Sequence, residues 1–234
     1  MSVPRWLTRA DAVDRFPSPN AALTEPNGLL AAGGDLEPGR LLGAYIRGIF
    51  PWYEEGQPIL WWSPDPRAVL WPAELRVSRS LRRSLIKGGF ELRVDSAFDE
   101  VIAGCAGPRR YTDATWITSD MARAYGRLHR MGWAHSFETW RAGELVGGLY
   151  GVAIGRVFFG ESMFARVTDA SKVALVGTVR FLEQRGFALI DCQVASEHMA
   201  SLGARAIPRR EFLGLLERYC EPAGPPEVWR APIP

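Results

Sequence analysis

The chain has 234 residues, 47% of them apolar, enough for one large domain or two smaller ones around a sizeable core. Its net charge is only +2, so no global field calls for a nucleic acid and any such contact must come from a local patch. Three isolated cysteines (Cys105, Cys192, Cys220) argue against a disulfide framework or a zinc site, and neither a secretory leader nor a run near the ~20 apolar residues of a membrane span is present, so a soluble cytoplasmic protein is expected.

In chain order, residues 1–66 are rich in Pro and Gly and read mostly as loops and turns. One helix is expected from Pro38, with Leu41, Leu42, Tyr45 and Ile46 as its apolar stripe and Gly48 as its end. The aromatic cluster Phe50, Trp52, Tyr53, Trp61 and Trp62 follows. Such rings fill the core of a small domain, or one or two of them stack on a ligand base. Residues 63–66 suggest a boundary, so the expectation is a small, loop-rich domain over 1–66 and a larger one over 67–234. Residues 76–87 predict an amphipathic helix, with Val77, Leu81 and Leu85 on one side and Arg76, Arg79, Arg82, Arg83 and Lys87 on the other. That cationic face is either simply solvated or touches a phosphate backbone, a contact that needs cations and no sequence code.

A strand is expected over 90–94, then a helix capped by Ser96 with Asp99, its stripe being Phe98, Val101, Ile102 and Cys105. Residues 106–116 read as a loop. Ser119 is expected to cap a helix with Met121, Tyr125 and Leu128 on its buried side. The period then changes, and residues 134–140, 145–154 and 156–164 predict an antiparallel meander turning at Gly143 and Gly155. Asp169 or Ser171 should cap a long helix burying Val173, Leu175, Val176, Val179 and Leu182. A strand over 187–194, helices over 196–202 and 209–219 and a Pro-rich tail complete the chain.

From residue 90 onward this is the element order of an α+β, acetyltransferase-like (GNAT-type) domain with a mixed, mostly antiparallel sheet. In that fold the strands before and after the long helix splay apart, and the gap holds substrate. Here those two strands carry Glu161 and Asp191. A carboxylate inside an apolar strand is costly unless paired or functional. Strand alternation puts Asp191 and Gln193 on one face and Cys192 on the other. Two carboxylates and an amide in one cleft suit an amine: carboxylates bind an ammonium or take its proton, and Gln193 can hydrogen-bond and orient a neighbour. His129, His135 and His198 are dispersed, so no metal site is expected. Ser162 has no paired His and Cys192 points away, which disfavours a nucleophile. The turn FARVTDASK before the long helix lacks the Gln/Arg-x-x-Gly-x-Gly/Ala pattern with which coenzyme-A acetyltransferases wrap a pyrophosphate.

The blocks EPNGLLAAGGDLEPGRLLGAYIRGIFPWY, ILWWSPDPRAVL, TWIT, AHSFETW, LVGGLYGV, FFGESMF, ASKVAL, LIDCQV and SLGA-x-x-IPR closely resemble the leucyl/phenylalanyl-tRNA–protein transferases of bacteria, across about residues 16–212. The resemblance implies an aminoacyltransferase that moves Leu or Phe, less readily Met, from aminoacyl-tRNA onto the N-terminal Arg or Lys of acceptor proteins and so marks them for degradation. It implies no diffusible cofactor and no metal; that no membrane partner is expected follows from the missing apolar run. Carried over motif by motif, it implies that Asp191 and Gln193 act on the acceptor's α-amine with Glu161 as a polar contact, and that Trp52, Trp116 and Tyr125 meet the terminal adenosine. It also implies that Leu149 and Phe158 line the pocket for the Leu or Phe side chain, and that the basic helix with Arg76, Arg79, Arg82, Arg83 and Lys87 faces the acceptor stem. Some relatives have Met where this chain has Leu149.

The implied reaction is aminolysis of an ester. A free α-amine has a pKa of about 7.7–8.0, so its neutral form costs only about 1 kcal/mol near neutral pH. A general base is worth about 10²–10⁴-fold, whereas positioning supplies about 7–11 kcal/mol. The expectation is therefore that Asp191 and Glu161 chiefly hold the amine, with proton abstraction by Asp191 second. Three rivals stand beside this reading: a coenzyme-A N-acyltransferase, a cell-wall-peptide aminoacyltransferase, and a non-catalytic RNA-binding module.

Overall fold

The structure is a computed structural model and describes residues 4–107, 117–221 and 229. Residues 1–66 hold more than loops. Strands β1 (Arg5–Leu7), β2 (Leu29–Gly33), β3 (Phe50–Pro51) and β4 (Leu60–Trp62) pair in the order β1-β2-β4-β3. These strands run only two to five residues and sit among Pro and Gly; they are too short to show a two-residue period, which is why the sequence reads as turns. Helix α1 (Pro38–Tyr45) starts at its expected proline. Of the aromatic cluster, Phe50, Tyr53 and Trp61 are core, while Trp52 is 46% exposed.

A second sheet has seven strands: β5 (Arg67–Leu70), β6 (Glu91–Val94), β7 (Ala134–Arg141), β8 (Glu144–Ile154), β9 (Val157–Ala165), β10 (Leu189–Gln193) and β11 (Arg205–Ile207), in the order β11-β5-β10-β9-β8-β7-β6. Only β9 and β10 pair in parallel, so the sheet is mixed and mostly antiparallel, as expected. Strands β5 and β11 add to the predicted set. β5 begins directly at the expected boundary and places Arg67 in the sheet.

The helices are α2 (Arg79–Lys87), α3 (Phe98–Ala106), α4 (Ser119–Arg130), α5 (Ala170–Gln184), α6 (Glu197–Ser201) and α7 (Arg209–Tyr219). Helix α2 starts three residues later than expected because the Ser78 hydroxyl accepts the Leu81 N–H and caps it, which leaves Arg76 and Val77 ahead of the helix. In the same way Thr118, not Ser119, caps α4. Ser96 caps nothing; its hydroxyl donates to Oε2 of the buried Glu138, and Ala97 occupies the cap position of α3. A buried carboxylate needs donors more than a helix end exposed to water does. Asp169 stands at the cap of α5 with φ +65° and makes no cap hydrogen bond, its carboxylate accepting the Ser84 hydroxyl instead.

Apolar side chains pack on both faces of the large sheet. Phe159 and Leu189 join α1, α3, α4, α7 and the core of the small sheet on one face, while Phe158 and Ile190 pack under α5 on the other. The alternation along β9 and β10 thus feeds two cores. Pairing between these strands runs from Leu189 opposite Val157 to Asp191 opposite Phe159 and then stops. Strand β9 continues along β8 to Ala165, whereas β10 breaks register against β5 between Asp191 and Gln193. The predicted splay therefore opens beside Asp191.

Candidate active site

The gap is a cavity of about 330 Å³. Leu149, Phe158, Met163, Leu175, Thr178 and Ile190 form its apolar wall, and Glu161 and Gln193 contribute polar groups. The Thr178 hydroxyl is spent on the Ala174 carbonyl at 2.9 Å, one turn back on α5. The space suits a branched or aromatic side chain with a polar backbone at one end.

Asp191 borders this cavity and is fully buried. It is not free. Arg67 grips it with both arms of its fork, Nε to Oδ1 at 2.8 Å and Nη2 to Oδ2 at 2.6 Å. Arg67 is itself buried, donates Nη1 to the Gly48 carbonyl at 3.2 Å, and lies between the Phe50 and Phe212 rings, each 4.7 Å from its guanidinium carbon. The expected hand-hold for an amine is thus occupied by a guanidinium. The pairing satisfies the charge that a buried carboxylate would otherwise carry alone.

Asp191 acts on its neighbour instead. Its Oδ1 also accepts the Gln193 N–H at 2.9 Å. That bond accompanies the left-handed backbone of Gln193, φ +61°, a conformation uncommon outside Gly. From there the Gln193 amide donates Nε2–H to Glu161 Oε1 at 2.9 Å. Gln193 therefore meets Glu161 across the splay, by way of a bulge rather than by plain strand alternation.

Glu161 is the most perturbed carboxyl at the cavity. The Tyr45 hydroxyl contacts Oε1 at 2.8 Å and the Tyr125 hydroxyl contacts Oε2 at 2.9 Å. Burial pushes its pKa up to about 7; hydrogen bonds from the two phenols each pull it down, Asp191 raises it and Arg67 lowers it. A carboxyl that titrates near neutrality can both take and return a proton at the working pH.

Among the residues expected to act here, Glu161, Asp191, Gln193, Leu149 and Phe158 come together at one cavity. Tyr125 comes to it from beneath: the ring is fully buried, and only its hydroxyl reaches Glu161, so it offers no exposed face for stacking. Trp52 is exposed, with its ring 5.6 Å from Trp62, and Trp116 lies outside the described residues. Cys192 lines the cavity from the face opposite Asp191, and burial drives its thiol pKa far above the usual range, which makes it wall and not nucleophile. Arg76, Arg79, Arg82, Arg83 and Lys87 are all exposed. Among the described residues no group of three or more His, Cys, Asp or Glu is placed to hold a metal, and no helix is long and apolar enough to cross a membrane.

Two residues escaped the sequence reading. Arg67 carries the same signal that singled out Asp191, a charge set in an apolar run, and the pair of opposite charges is legible once both strands lie in one sheet. Tyr45 gives no such signal, because it sits on the apolar stripe of α1 like any core tyrosine.

Comparison with known proteins follows the same lines. The sequence profile described as leucyl/phenylalanyl-tRNA protein transferase matches residues 69–217, and that of the family's N-terminal domain matches residues 34–65. The chain is 59% identical over 226 residues to the leucyl/phenylalanyl-tRNA–protein transferase of Stutzerimonas stutzeri (strain A1501), across 97% of this chain and 99% of that one. To the protein of the same name from Nitrosospira multiformis it is 62% identical over 207 residues, 88% of each chain. Among solved structures, a GCN5-related N-acetyltransferase from Kribbella flavida superposes with a TM-score of 0.40 at 16% identity, covering 72% of this chain and 60% of that one.

Proposed function

The chain belongs to the leucyl/phenylalanyl-tRNA protein transferase family, and on that premise we propose that it moves Leu or Phe, less readily Met, from aminoacyl-tRNA to the α-amine of acceptor proteins that begin with Arg or Lys. The observation that carries this reading is the cavity itself, an apolar chamber with Glu161 and Gln193 in its wall. The Leu or Phe side chain enters the chamber between Phe158 and Leu149. Its ester carbonyl then lies toward the polar wall, where the acceptor's amine attacks. A C–N bond forms, the bond from the carbonyl carbon to the 3′-terminal ribose oxygen breaks, the neutral amine gives up one of its two protons as the amide forms, and the ribose oxygen takes up one proton to leave as a hydroxyl. The cytoplasm, where aminoacyl-tRNA is made and used, is its place of work.

The roles at the wall differ from the simplest carboxylate reading. Asp191, engaged by Arg67, positions Gln193 and does not hold the amine itself. Gln193 and Glu161 meet the amine. A free α-amine titrates at about 7.7–8.0, close to the Glu161 value of about 7, so a proton passes between them with little free-energy change. Trp52 and Trp116 are assigned to the terminal adenosine, whereas the Tyr125 hydroxyl stays on Glu161. The proposed division at residue 66 runs through the site, since Tyr45 and Gly48 lie before it and Arg67, Glu161 and Asp191 after it.

The test is direct: labelled Phe-tRNA and a peptide beginning with Arg are incubated with the protein, and label appears at the peptide's N-terminus. Failure of transfer from both Phe-tRNA and Leu-tRNA, with charged tRNA intact, overturns the assignment. The exposed cations of α2 supply a second measurement. Replacing Arg79, Arg82 and Arg83 by Ala weakens binding of every accepted tRNA alike, and the slope of log affinity against log salt becomes shallower by roughly 0.7–0.9 for each phosphate no longer neutralised. The peptide KM and the unfolding midpoint stay where they were, because these side chains touch water in the free protein. An unchanged salt slope assigns the helix to solvation alone.

A further inference from the structure

Three hydroxyl and carboxyl groups close a ring beneath the cavity wall. Tyr45 touches Glu161 Oε1, Tyr125 touches Glu161 Oε2, and the two hydroxyls touch each other. Each of the three contacts needs one proton to be a hydrogen bond. The phenols bring two, and burial raises both phenol pKa values well above normal, so both stay protonated. With Glu161 ionised the ring is one proton short. If both phenols donate to the carboxylate, their oxygens face each other with lone pairs alone. If Tyr125 donates to Tyr45, Oε2 loses its donor; if Tyr45 donates to Tyr125, Oε1 keeps the Gln193 amide but meets the Tyr45 oxygen with no proton between them. Both tyrosines are fully buried, so bulk water does not make up the deficit, and an unmet polar contact in a buried site is costly. A carboxyl proton on Oε2 supplies the missing one. Oε2–H then donates to Tyr125, Tyr125 donates to Tyr45, and Tyr45 donates to Oε1, where the Gln193 amide donates as well.

We propose that Tyr45 and Tyr125 are positioning residues that bind Glu161 in its neutral form, the closed ring holding the carboxyl proton, and that Glu161 ionises only as the two hydroxyls part. This rests on the reading of Glu161 as the group that serves the acceptor's amine. Taken singly, each phenol is a donor that favours the carboxylate; in contact with one another they favour the acid. The consequence for transfer is that a proton leaving the acceptor's ammonium for the Glu161 carboxylate restores the third proton and closes the ring. Proton uptake is thereby coupled to a packing change in the site. The other groups facing this centre are Asp191 and Gln193 on β10, Arg67 on β5 and Tyr150 on β8, whose ring stands edge-on to Tyr125 at 5.4 Å. Asp191 and Arg67 are paired with each other, and their effects on Glu161 oppose, Asp191 raising its pKa and Arg67 lowering it.

The sign of one shift decides it. Tyr45→Phe removes one proton and one oxygen, which leaves Tyr125 free to donate to an ionised Glu161 with no polar group unmet. The ring predicts that the Glu161 titration midpoint falls, by about one pH unit or more. Phenols acting as independent donors predict a rise instead, because the carboxylate is then short of a partner. The midpoint is read in the free protein by carbon NMR of the Glu161 carboxyl, assigned by its absence in Glu161→Gln, and again as the acid limb of the pH–rate profile for Phe transfer. A downward shift supports the ring; an unchanged or raised midpoint overturns it. Tyr125→Phe, which breaks the same ring at its other phenol, is the companion variant and must shift in the same direction. A wild-type protein that transfers nothing overturns the transferase reading, while the NMR titration still decides the ring.

Discussion

Replacing Arg67 by Met is expected to destabilise the fold by about 3–5 kcal/mol, the cost of leaving one half of a buried ion pair uncompensated. Asp191 has no exposed atom through which water could replace the guanidinium, and Arg67 is equally enclosed between Phe50 and Phe212. Asp191→Leu leaves the mirror-image fault, a buried guanidinium with only the Gly48 carbonyl to receive it. The double variant Arg67→Met/Asp191→Leu should recover most of the stability, since apolar residues of similar volume often replace such a pair at little cost. Denaturant midpoints of the two single variants and the double measure the coupling. Single variants within about 1 kcal/mol of wild type, the range of exposed pairs, would mean that the pair is wet. The double variant also separates fold from function. Its stability returns but its transfer rate does not, because the Gln193 N–H no longer has the Asp191 oxygen and the amide no longer addresses Glu161.

Glu161→Gln is expected to slow transfer by about 10²–10⁴-fold, the usual worth of a general acid or base, with the Glu161 ionisation removed from the pH profile and only that of the acceptor amine, at about 7.7–8.0, left in it. The amide keeps the shape of the protonated acid and can still complete the tyrosine ring, so the fold survives. The same substitution carries a signature in stability that needs no substrate. Glu161 titrates at about 7 in the folded chain and at about 4.3 in an unfolded one. The native state therefore binds this proton more tightly than the unfolded state does, and stability falls as pH rises from about 4.3 to about 7. Glu161→Gln abolishes that decline. Its stability relative to wild type is lowest on the acid side, climbs through the window and levels off above pH 7. Equal pH dependence of the two proteins would place the Glu161 pKa in the ordinary carboxylate range and remove it as a proton carrier.

These two outcomes rest on features that differed in legibility. Asp191 and Glu161 stood out as charges in apolar strands, and the strand–helix–strand order put them on either side of a gap. That much is local, because a two-residue period and a helix cap are properties of neighbouring residues. The face carrying Cys192 was assigned correctly by alternation, yet that face proved to be cavity wall. The bulge at Gln193 was not legible, since it follows from the Asp191 oxygen accepting a backbone N–H. Ser96 misled as a cap because its preference was decided by Glu138, more than forty residues away. The small sheet was missed because strands of two to five residues owe their pairing to partners and not to their own pattern.

The amino-acid sequence by itself determined the family, the α+β architecture with its mixed sheet, the splayed strands and the set of polar residues delivered to them. Periodicity, capping and turn chemistry act over a few residues, and the long motif blocks are specific without any coordinates. The tertiary structure alone decided which polar group is free to act. Arg67 and Asp191 lie 124 residues apart, and Tyr45 and Glu161 lie 116 apart; no local rule links them. Whether a carboxylate is an anchor or a proton carrier depends on its partners and on its distance from water. Asp191 found a guanidinium, and Glu161 found two phenols that also touch each other.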